Sequence, residues 1–383
     1  MENFNYDSKN PSKIKVFGVG GGGSNAVARM YQEGLQDVEL YIVNTDKQHL
    51  DSLDVPNKIH IGENITKGLG AGSKPERGEE AAKENLDRIK EAIDGADMIF
   101  IAAGLGGGTG TGASPVIAQA AKEMGILTVA VVTKPFDFEG PRRAQIAEEG
   151  LQKLRDVVDT YIVIHNQKLT TIAGKRFTFQ EAFKLVDSIL YKAVRGITDL
   201  ILVPGLINVD FADVQTIMEN GGKALIGVGS GRGENKIEEA VMSATTSPLL
   251  EGVSIDGARR LLVNVEVSMD ISYADVEDAI AQIKEQAHES AHIIFGASLN
   301  QNLEDEMRIT VVATDFESEK PSEVSKPKTK RIIERKLRKP QPPQVEREEI
   351  IEEPLPGNII NEVEYEDLDI PAYIRKRKGG GIN

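Results

Sequence analysis

Two glycine-rich runs constrain this chain more than any other feature. Gly18-Val19-Gly20-Gly21-Gly22-Gly23 and Gly104-Leu105-Gly106-Gly107-Gly108-Thr109-Gly110-Thr111-Gly112 each close a short aliphatic run, 14–19 or 98–103, and each opens a helical period. Four glycines in a row carry a large entropic cost, so a run of this kind belongs where the backbone itself must come close to something. A strand that turns through glycines into a helix aims free N–H groups at the turn, a ready site for phosphate. Two such turns in one parallel sheet line the same carboxyl edge. The second run adds the hydroxyls of Thr109 and Thr111 and contains no lysine, so it is an anion cradle but not a G-x-x-x-x-G-K-[ST] loop. The first run alone also fits the G-x-G-x-x-G of a nicotinamide-dependent oxidoreductase. That alternative needs one glycine loop and an acidic residue after the second strand. Asp46 stands near there, beside Asn44, but the alternative gives no reason for the second loop.

The rest of the first half alternates. Strands are predicted over 38–44, 126–133 and 160–165, and helices over 25–33, 76–93, 111–124 and 142–158. Short β-branched runs between helical periods mark βαβ units and a parallel sheet. An unusually long helix is predicted over 179–198, with apolar residues at Ala182, Leu185, Val186, Ile189, Leu190, Ala193 and Val194; it reads as a spine between two domains. Beyond 204–205 come helices over 212–219, 234–245 and 273–290 and strands over 224–229, 260–267, 293–298 and 307–313, a second α/β domain.

Composition removes several classes of function. The 383 residues include no Cys, which excludes disulfides, thiolate metal sites and a cysteine nucleophile. With 45 Lys+Arg against 60 Asp+Glu the net charge is −15, which argues against general nucleic-acid binding. The first ten residues are polar and acidic and lack the form of a signal peptide, and the apolar runs are far short of the ~20 residues of a membrane span.

Gly106-Gly107-Gly108-Thr109-Gly110-Thr111-Gly112 matches the tubulin signature G-G-G-T-G-[ST]-G, a far more specific pattern than a lone dinucleotide fingerprint. From 14 to 314, and again in the tail, the chain resembles the FtsZ family, the bacterial cell-division GTPases of the tubulin superfamily. Asn44-Thr45-Asp46, Gly70-Ala71-Gly72, Lys134-Pro135-Phe136-Asp137-Phe138-Glu139-Gly140 with Arg143, Asn208-Val209-Asp210-Phe211-Ala212-Asp213 and Asp369-Ile370-Pro371-Ala372 carry the likeness further. The resemblance implies a tubulin-like fold: a Rossmann-like GTP-binding domain, a long central helix and a second α/β domain, followed by a disordered linker and a short terminal peptide. It also implies roles. Gly21, Gly22, Gly23, Ser24 and Asn25 would hold the α- and β-phosphates, and Gly108, Thr109 and Gly110 would wrap the polyphosphate. Asn44, Ala71 and Gly72 would lie toward the γ-phosphate, and Glu139 and Arg143 toward the ribose. Asn166 and Asp187 would read guanine while Phe183 stacks on it. Ser24 stands where some relatives carry glycine. GTP or GDP is the expected ligand, with Mg²⁺ carried by the phosphates rather than by a metal site of the chain, and K⁺ as a further ion.

The expected divisions are a flexible tail over 1–12, the GTP-binding domain over 13–178, the central helix over 179–204, a C-terminal GTPase-activating domain over 205–316, a disordered linker over 317–362 and a partner-binding tail over 363–383. The linker is rich in Pro, Lys, Arg and Glu, with a basic run over 326–339 and an acidic one over 346–353, and cannot bury enough surface to order itself. No specific nucleic-acid site is expected there. The expected partners are further copies of the chain, joined head to tail, and, through the tail, division regulators and a membrane-anchoring adaptor such as FtsA; the expected location is the cytoplasm at the midcell division site.

Two motifs admit competing readings. His288-Glu289-Ser290-Ala291-His292 fits H-E-x-x-H, but the strand expected from 293 leaves His292 at a helix end, so a zinc site is not expected. Asp210 and Asp213 stand three apart at a helix start, where capping alone would account for them. The resemblance makes them catalytic instead, with Asn208, acting on the nucleotide of the next subunit.

Overall fold

The computed structural model describes residues 12–316 of the chain, apart from 36, 174–177, 204, 247–254, 256 and 302. The expected linker, the terminal tail and all but the last residue of the N-terminal tail lie outside the described residues. In chain order the elements are β1 (Ile14–Val19), α1 (Gly20–Gln32), β2 (Val38–Asn44), α2 (Lys47–Ser52), β3 (Asn57–His60), α3 (Glu63–Thr66), α4 (Pro75–Glu84), α5 (Leu86–Ile93), β4 (Met98–Gly104), α6 (Thr109–Glu123), β5 (Leu127–Lys134), α7 (Pro141–Arg155), β6 (Thr160–His165), α8 (Asn166–Ala173) and α9 (Phe179–Leu202). Then follow α10 (Phe211–Met218), β7 (Gly222–Arg232), α11 (Lys236–Thr245), β8 (Ala258–Val267), α12 (Tyr273–Gln286), β9 (His292–Leu299) and β10 (Glu306–Phe316).

The strands form one sheet in the order β3-β2-β1-β4-β5-β6-β7-β10-β8-β9. From β3 to β6 every pairing is parallel, and the order reverses between β1 and β4, the two strands that end in the glycine runs. That reversal opens a crevice at the carboxyl edge, where an open α/β sheet takes its ligand. The central strands are buried on both faces, as an all-parallel sheet requires, so β1, β4 and β5 read as unbroken aliphatic runs. One face packs Val16, Ile42 and Phe100 against Val27 and Met30 of α1 and Ile189, Val194 and Ile197 of α9. The other packs Phe17, Ile99 and Ile101 against Ile89 and Ile93 of α5, Ile117 of α6 and Leu154 of α7. A third core lies where β7, β8 and β10 meet α11 and α12, with Leu261, Val263, Ile283 and Val311 at its centre. Among the described residues no helix is long and apolar enough to cross a membrane.

The spine helix runs further than its apolar period predicts. α9 spans 24 residues, which at 1.5 Å per residue rises ~36 Å. Its start is fixed by a capping box: Thr178 Oγ1 accepts from the Glu181 N–H at 3.3 Å, and Glu181 Oε2 accepts from the Thr178 N–H at 2.7 Å. The single helix expected over 76–93 is two, broken at Asn85, whose Oδ1 accepts a 2.7 Å hydrogen bond from the Gly62 N–H. The side chain is spent on the loop before α3, and the backbone leaves helical geometry to reach it. The two halves share one sheet: β7 begins parallel to β6 over Gly222–Ala224 and continues antiparallel to β10.

Candidate functional site

A cleft of about 460 Å³ opens at the carboxyl edge, between the two glycine runs and the N-terminal half of α9. Three loops are tied together at one end. Thr45 Oγ1 and Thr109 Oγ1 share a buried 2.7 Å hydrogen bond, joining the turn after β2 to the start of α6. Asn44 Oδ1 accepts from the Thr45 N–H at 2.9 Å, and the Gly70 N–H donates to the Thr45 carbonyl at 3.3 Å. The 70–73 segment, which also lines the cleft, is thereby drawn beside the second glycine run.

The glycines divide into two kinds. At Gly18 a Cβ would overlap the Gly23 carbonyl, at Gly23 the Ala102 carbonyl, and at Gly112 the Pro75 carbonyl; these positions are glycine because the fold packs backbone on backbone there. Gly108 belongs partly with them, since its Cβ would sit 2.7 Å from Ala71 Cβ and 2.9 Å from the Lys74 nitrogen. At Gly21 and Gly107 a Cβ would meet nothing within 4 Å. Both line the cleft, and nothing in the protein itself demands glycine at either. What a side chain would fill there is ligand space at the N-terminus of a helix.

Of the residues assigned to the nucleotide, Gly21, Gly22, Asn25, Asn44, Ala71, Gly72, Gly108, Thr109, Gly110, Glu139, Arg143, Asn166, Phe183 and Asp187 all line this one cleft. Gly23 and Ser24 do not. Gly23 packs on β4, and the buried Ser24 hydroxyl donates to the Gly18 carbonyl at 3.4 Å. The 137–139 turn after β5 presents Glu139, which pairs with Arg143 one helical turn on and accepts from the Phe136 N–H at 2.9 Å.

The far end of the cleft holds a buried acceptor that lacks a donor and a half-buried carboxylate. Asn166, first residue of α8, is buried, and its Oδ1 has no hydrogen-bond partner. On α9, burial pushes the Asp187 carboxyl up to about 6, against the opposing pull of the Arg29 guanidinium. Phe183 stands one turn before Asp187, 5.1 Å from the Phe179 ring and 5.4 Å, edge-on, from Phe136. An aromatic face beside an unpartnered amide oxygen and an acceptor-only carboxylate suits a flat heterocycle that carries donors.

His49 and Ser73, which the sequence reading missed, also line the cleft, as does Asp46, which it noted but gave no role at the nucleotide. His49 sits on α2, a helix of only 6 residues that gives too little periodicity to detect.

Asn208, Asp210 and Asp213 lie elsewhere. The Leu206 and Ile207 N–H groups both donate to the Ala297 carbonyl, at 2.7 and 3.1 Å, pinning this loop to β9. Asn208 Oδ1 accepts from the Gly205 N–H at 2.7 Å, and Asp210 Oδ1 accepts from the Asp213 N–H at 2.9 Å, capping α10. The loop follows the C-terminal end of α9, and from Asp187 to Leu202 that helix alone rises ~22 Å. An apolar groove of about 420 Å³ lies alongside, lined by Leu206, Ile271, Tyr273, Val276, Phe295 and Leu299. The H-E-x-x-H segment makes no helix: α12 ends at Gln286, His288 Nδ1 accepts from the Ser290 N–H, and His292 opens β9.

Comparison with known proteins places these features in a family. Residues 13–174 match the family model described as Tubulin/FtsZ family, GTPase domain, and residues 222–317 match FtsZ family, C-terminal domain. The chain is 60% identical to the cell division protein FtsZ of Aquifex aeolicus over 311 residues, 81% of this chain and 85% of that one. It is 45% identical to the FtsZ of Buchnera aphidicola subsp. Schizaphis graminum over 96% of this chain and 97% of that one. A structure of the empty FtsZ dimer of M. jannaschii superposes with a TM-score of 0.76 at 45% identity, covering 80% of this chain and 89% of that one. CetZ1 from Haloferax volcanii, solved as a GDP-bound monomer, shares the fold with a TM-score of 0.68 at 23% identity, over 79% of this chain and 93% of that one.

Proposed function

The chain belongs to the FtsZ family of tubulin-like cell-division GTPases, and we propose that the GTP held in the cleft of one copy is hydrolysed by the 205–213 loop of the next. The observation that carries this reading is the place of the carboxylates. In the cleft Asp46 caps α2 by accepting the His49 N–H, Glu139 pairs with Arg143, and Asp187 lies beside Phe183 at the base end. The acids that the family likeness makes catalytic, Asp210 and Asp213, stand beyond the C-terminal end of α9, out of reach of their own cleft.

In this reading Gly21, Gly22, Gly107, Gly108, Thr109 and Gly110 present N–H groups and a hydroxyl to the phosphates. Asp187 accepts the guanine N1–H and N2–H₂ donors, and Asn166 Oδ1 gains the donor it lacks. Mg²⁺ enters with the phosphates and offsets their charge. K⁺ is a further ion to test. Asp210, aided by Asp213 and Asn208, orients the attacking water toward the γ-phosphate of the copy below, as a carboxylate acceptor can. Stacking with one operation that does not close yields an open filament. Two apolar surfaces suit that contact: Leu69 beside the cleft is 84% exposed, and Tyr273 beside the groove 80%.

We take 13–178, 179–204 and 205–316 as the GTP-binding domain, central helix and activating domain. The segments outside the described residues serve as tether and as docking tail for a membrane-anchoring adaptor of the FtsA kind and for division regulators, which places the filament in the cytoplasm at the division site. Phosphate release per molecule, followed together with light scattering over a range of protein concentrations, tests the reading. Specific activity should rise steeply above an assembly threshold; a flat rate per molecule across that range would put the catalytic groups within one chain.

A further inference from the structure

We propose that His49 is a positioning residue for the cleft, a neutral imidazole with its proton on Nε2 that is set by Asn44 and holds Asn25 in one fixed arrangement. The argument starts at Asn44. Its Oδ1 accepts from two backbone donors, the Thr45 N–H at 2.9 Å and the Asp46 N–H at 3.3 Å. Turning the carboxamide over would forfeit both bonds, so Nδ2 is the group that faces the His49 ring, 3.1 Å from Nδ1. An amide nitrogen only donates, so His49 Nδ1 must carry its lone pair there. The ring proton is then on Nε2, which lies 3.0 Å from Asn25 Oδ1 and donates to it. With Oδ1 anchored, Asn25 keeps its NH₂, two donors, for the cleft that it lines beside Gly21 and Gly22.

The ring is itself aimed by the backbone of α2. The His49 N–H donates to Asp46 Oδ1 at 3.0 Å, and the Ser52 hydroxyl donates to the His49 carbonyl at 2.7 Å. One imidazole thus joins α1, the end of β2 and α2, three elements that converge on the phosphate end of the cleft. Its tautomer is set by Asn44 and its effect is delivered through Asn25. A second proton, on Nδ1, would set two donors face to face and break the chain of bonds at Asn44.

The effect on binding rests on the nucleotide reading of the cleft; the tautomer does not. The full chain, free of nucleotide and labelled with ¹⁵N-histidine, should give for His49 at pH 7 an unprotonated Nδ1 and a protonated Nε2. The reverse tautomer, or a doubly protonated ring, would overturn the proposal. GDP binding by titration calorimetry is the second arm. His49→Leu should raise the dissociation constant roughly three- to tenfold, the loss of about one neutral hydrogen bond. His49→Gln, whose carboxamide can both donate and accept, should recover most of the affinity. In an Asn25→Ala background the His49→Leu effect should vanish, because the ring acts through Asn25. A His49→Leu loss that persists undiminished in that background, or no loss in either, would overturn the positioning role. Failure of the unaltered protein to bind GDP would instead overturn the nucleotide reading, and the imidazole spectrum would still decide the proposal.

Discussion

At the base end of the cleft the polar groups are incomplete: Asn166 Oδ1 is buried with no partner, and burial pushes the half-buried Asp187 carboxyl up to about 6 against the pull of Arg29. In the loop after α9 the balance is reversed. Asn208 and Asp210 each already hold a backbone N–H of their own loop, and the neighbouring surface is an apolar groove. The contrast separates two ways of being ready for function. The cleft is unfinished until a ligand brings donors. The loop is finished as structure, yet a carboxylate has about four lone-pair sites and Asp210 uses one for its cap. Capping and catalysis are therefore compatible at Asp210.

The sharpest way to break the comparison is Asp210→Asn. Asparagine is as good an N-cap as aspartate, so the melting temperature should hold within a degree or two. Hydrolysis should fall at least ~100-fold, the usual scale for losing a positioned general base, while GTP binding is retained. Asp210→Ala should lose the same activity and, in addition, about 1 kcal/mol of stability. If Asp210→Asn turns over GTP like the unaltered protein, Asp210 is a cap and nothing more. Mixing Asp210→Asn, with an intact cleft, and Gly107→Ser, with an intact loop, should restore part of the activity that each lacks alone.

Asp187→Asn tests the unfinished side, with opposite signs in two measurements. The carboxyl is raised in the folded state above its unfolded value near 3.9, so the folded state holds the extra proton between about 4 and 6. Stability contributed by that proton is therefore lost as pH rises through the same window, at most about 3 kcal/mol above pH 6. Removing the charge should raise the melting temperature of the nucleotide-free protein at pH 7. It should also lower GTP affinity about tenfold or more and narrow the preference over ATP. In the unaltered protein GTP affinity should be level above about pH 6 and fall below it, as the acceptor is protonated; in Asp187→Asn that dependence should disappear. A level profile down to pH 5 in both proteins would move base recognition elsewhere.

Smaller effects should separate the glycines. Gly23→Ala forces a Cβ onto the Ala102 carbonyl and should cost about 1–3 kcal/mol of stability, read by urea unfolding. Gly21→Ala meets nothing within the protein, so unfolding should be unchanged while GTP affinity drops about fivefold as phosphate approach is obstructed. A loss of stability at Gly21 without a loss of affinity would reverse the division.

That division marks where sequence legibility ends. The strand–glycine–helix turns, the alternation of 14–165 and the long spine were legible because each rests on local periodicity or on a backbone requirement that only glycine meets. The union of the cleft was legible only through the resemblance, since Asn166 and Asp187 are remote in sequence from the glycine runs. Which glycine serves the fold and which the ligand was not, because both look alike until β4 is laid beside α1. Asn85 and His49 stayed hidden for a related reason. Each acts through side-chain bonds to another element, Asn85 to the loop before α3 and His49 to α1 and the end of β2, and no periodicity records that. The sheet's continuity through β7 hangs on a pairing of three residues, too short to register against the longer antiparallel run that follows.

The smallest effect concerns how the aromatic wall is held. Phe179 touches both Phe183 and Phe138, at 5.1 and 5.3 Å between ring centres, and is itself 67% exposed. Phe179→Leu keeps apolar bulk at the start of α9 but removes two ring–ring contacts, each worth about 0.5–1.5 kcal/mol, part of which holds Phe183 against the base. Stability should fall by only about 1 kcal/mol, the lower end of that range for the two contacts together, since the ring is mostly in solvent. GTP and ATP affinities should both weaken, by about two- to threefold, because stacking does not distinguish purines whereas the Asp187 carboxylate does. The ratio of the two affinities is therefore the decisive number: it should stay constant in Phe179→Leu and shrink in Asp187→Asn. A shifted ratio in the Phe179 variant would mean that the wall also sets the position of Asp187, joining two functions of the cleft that stand one turn apart on the same face of α9.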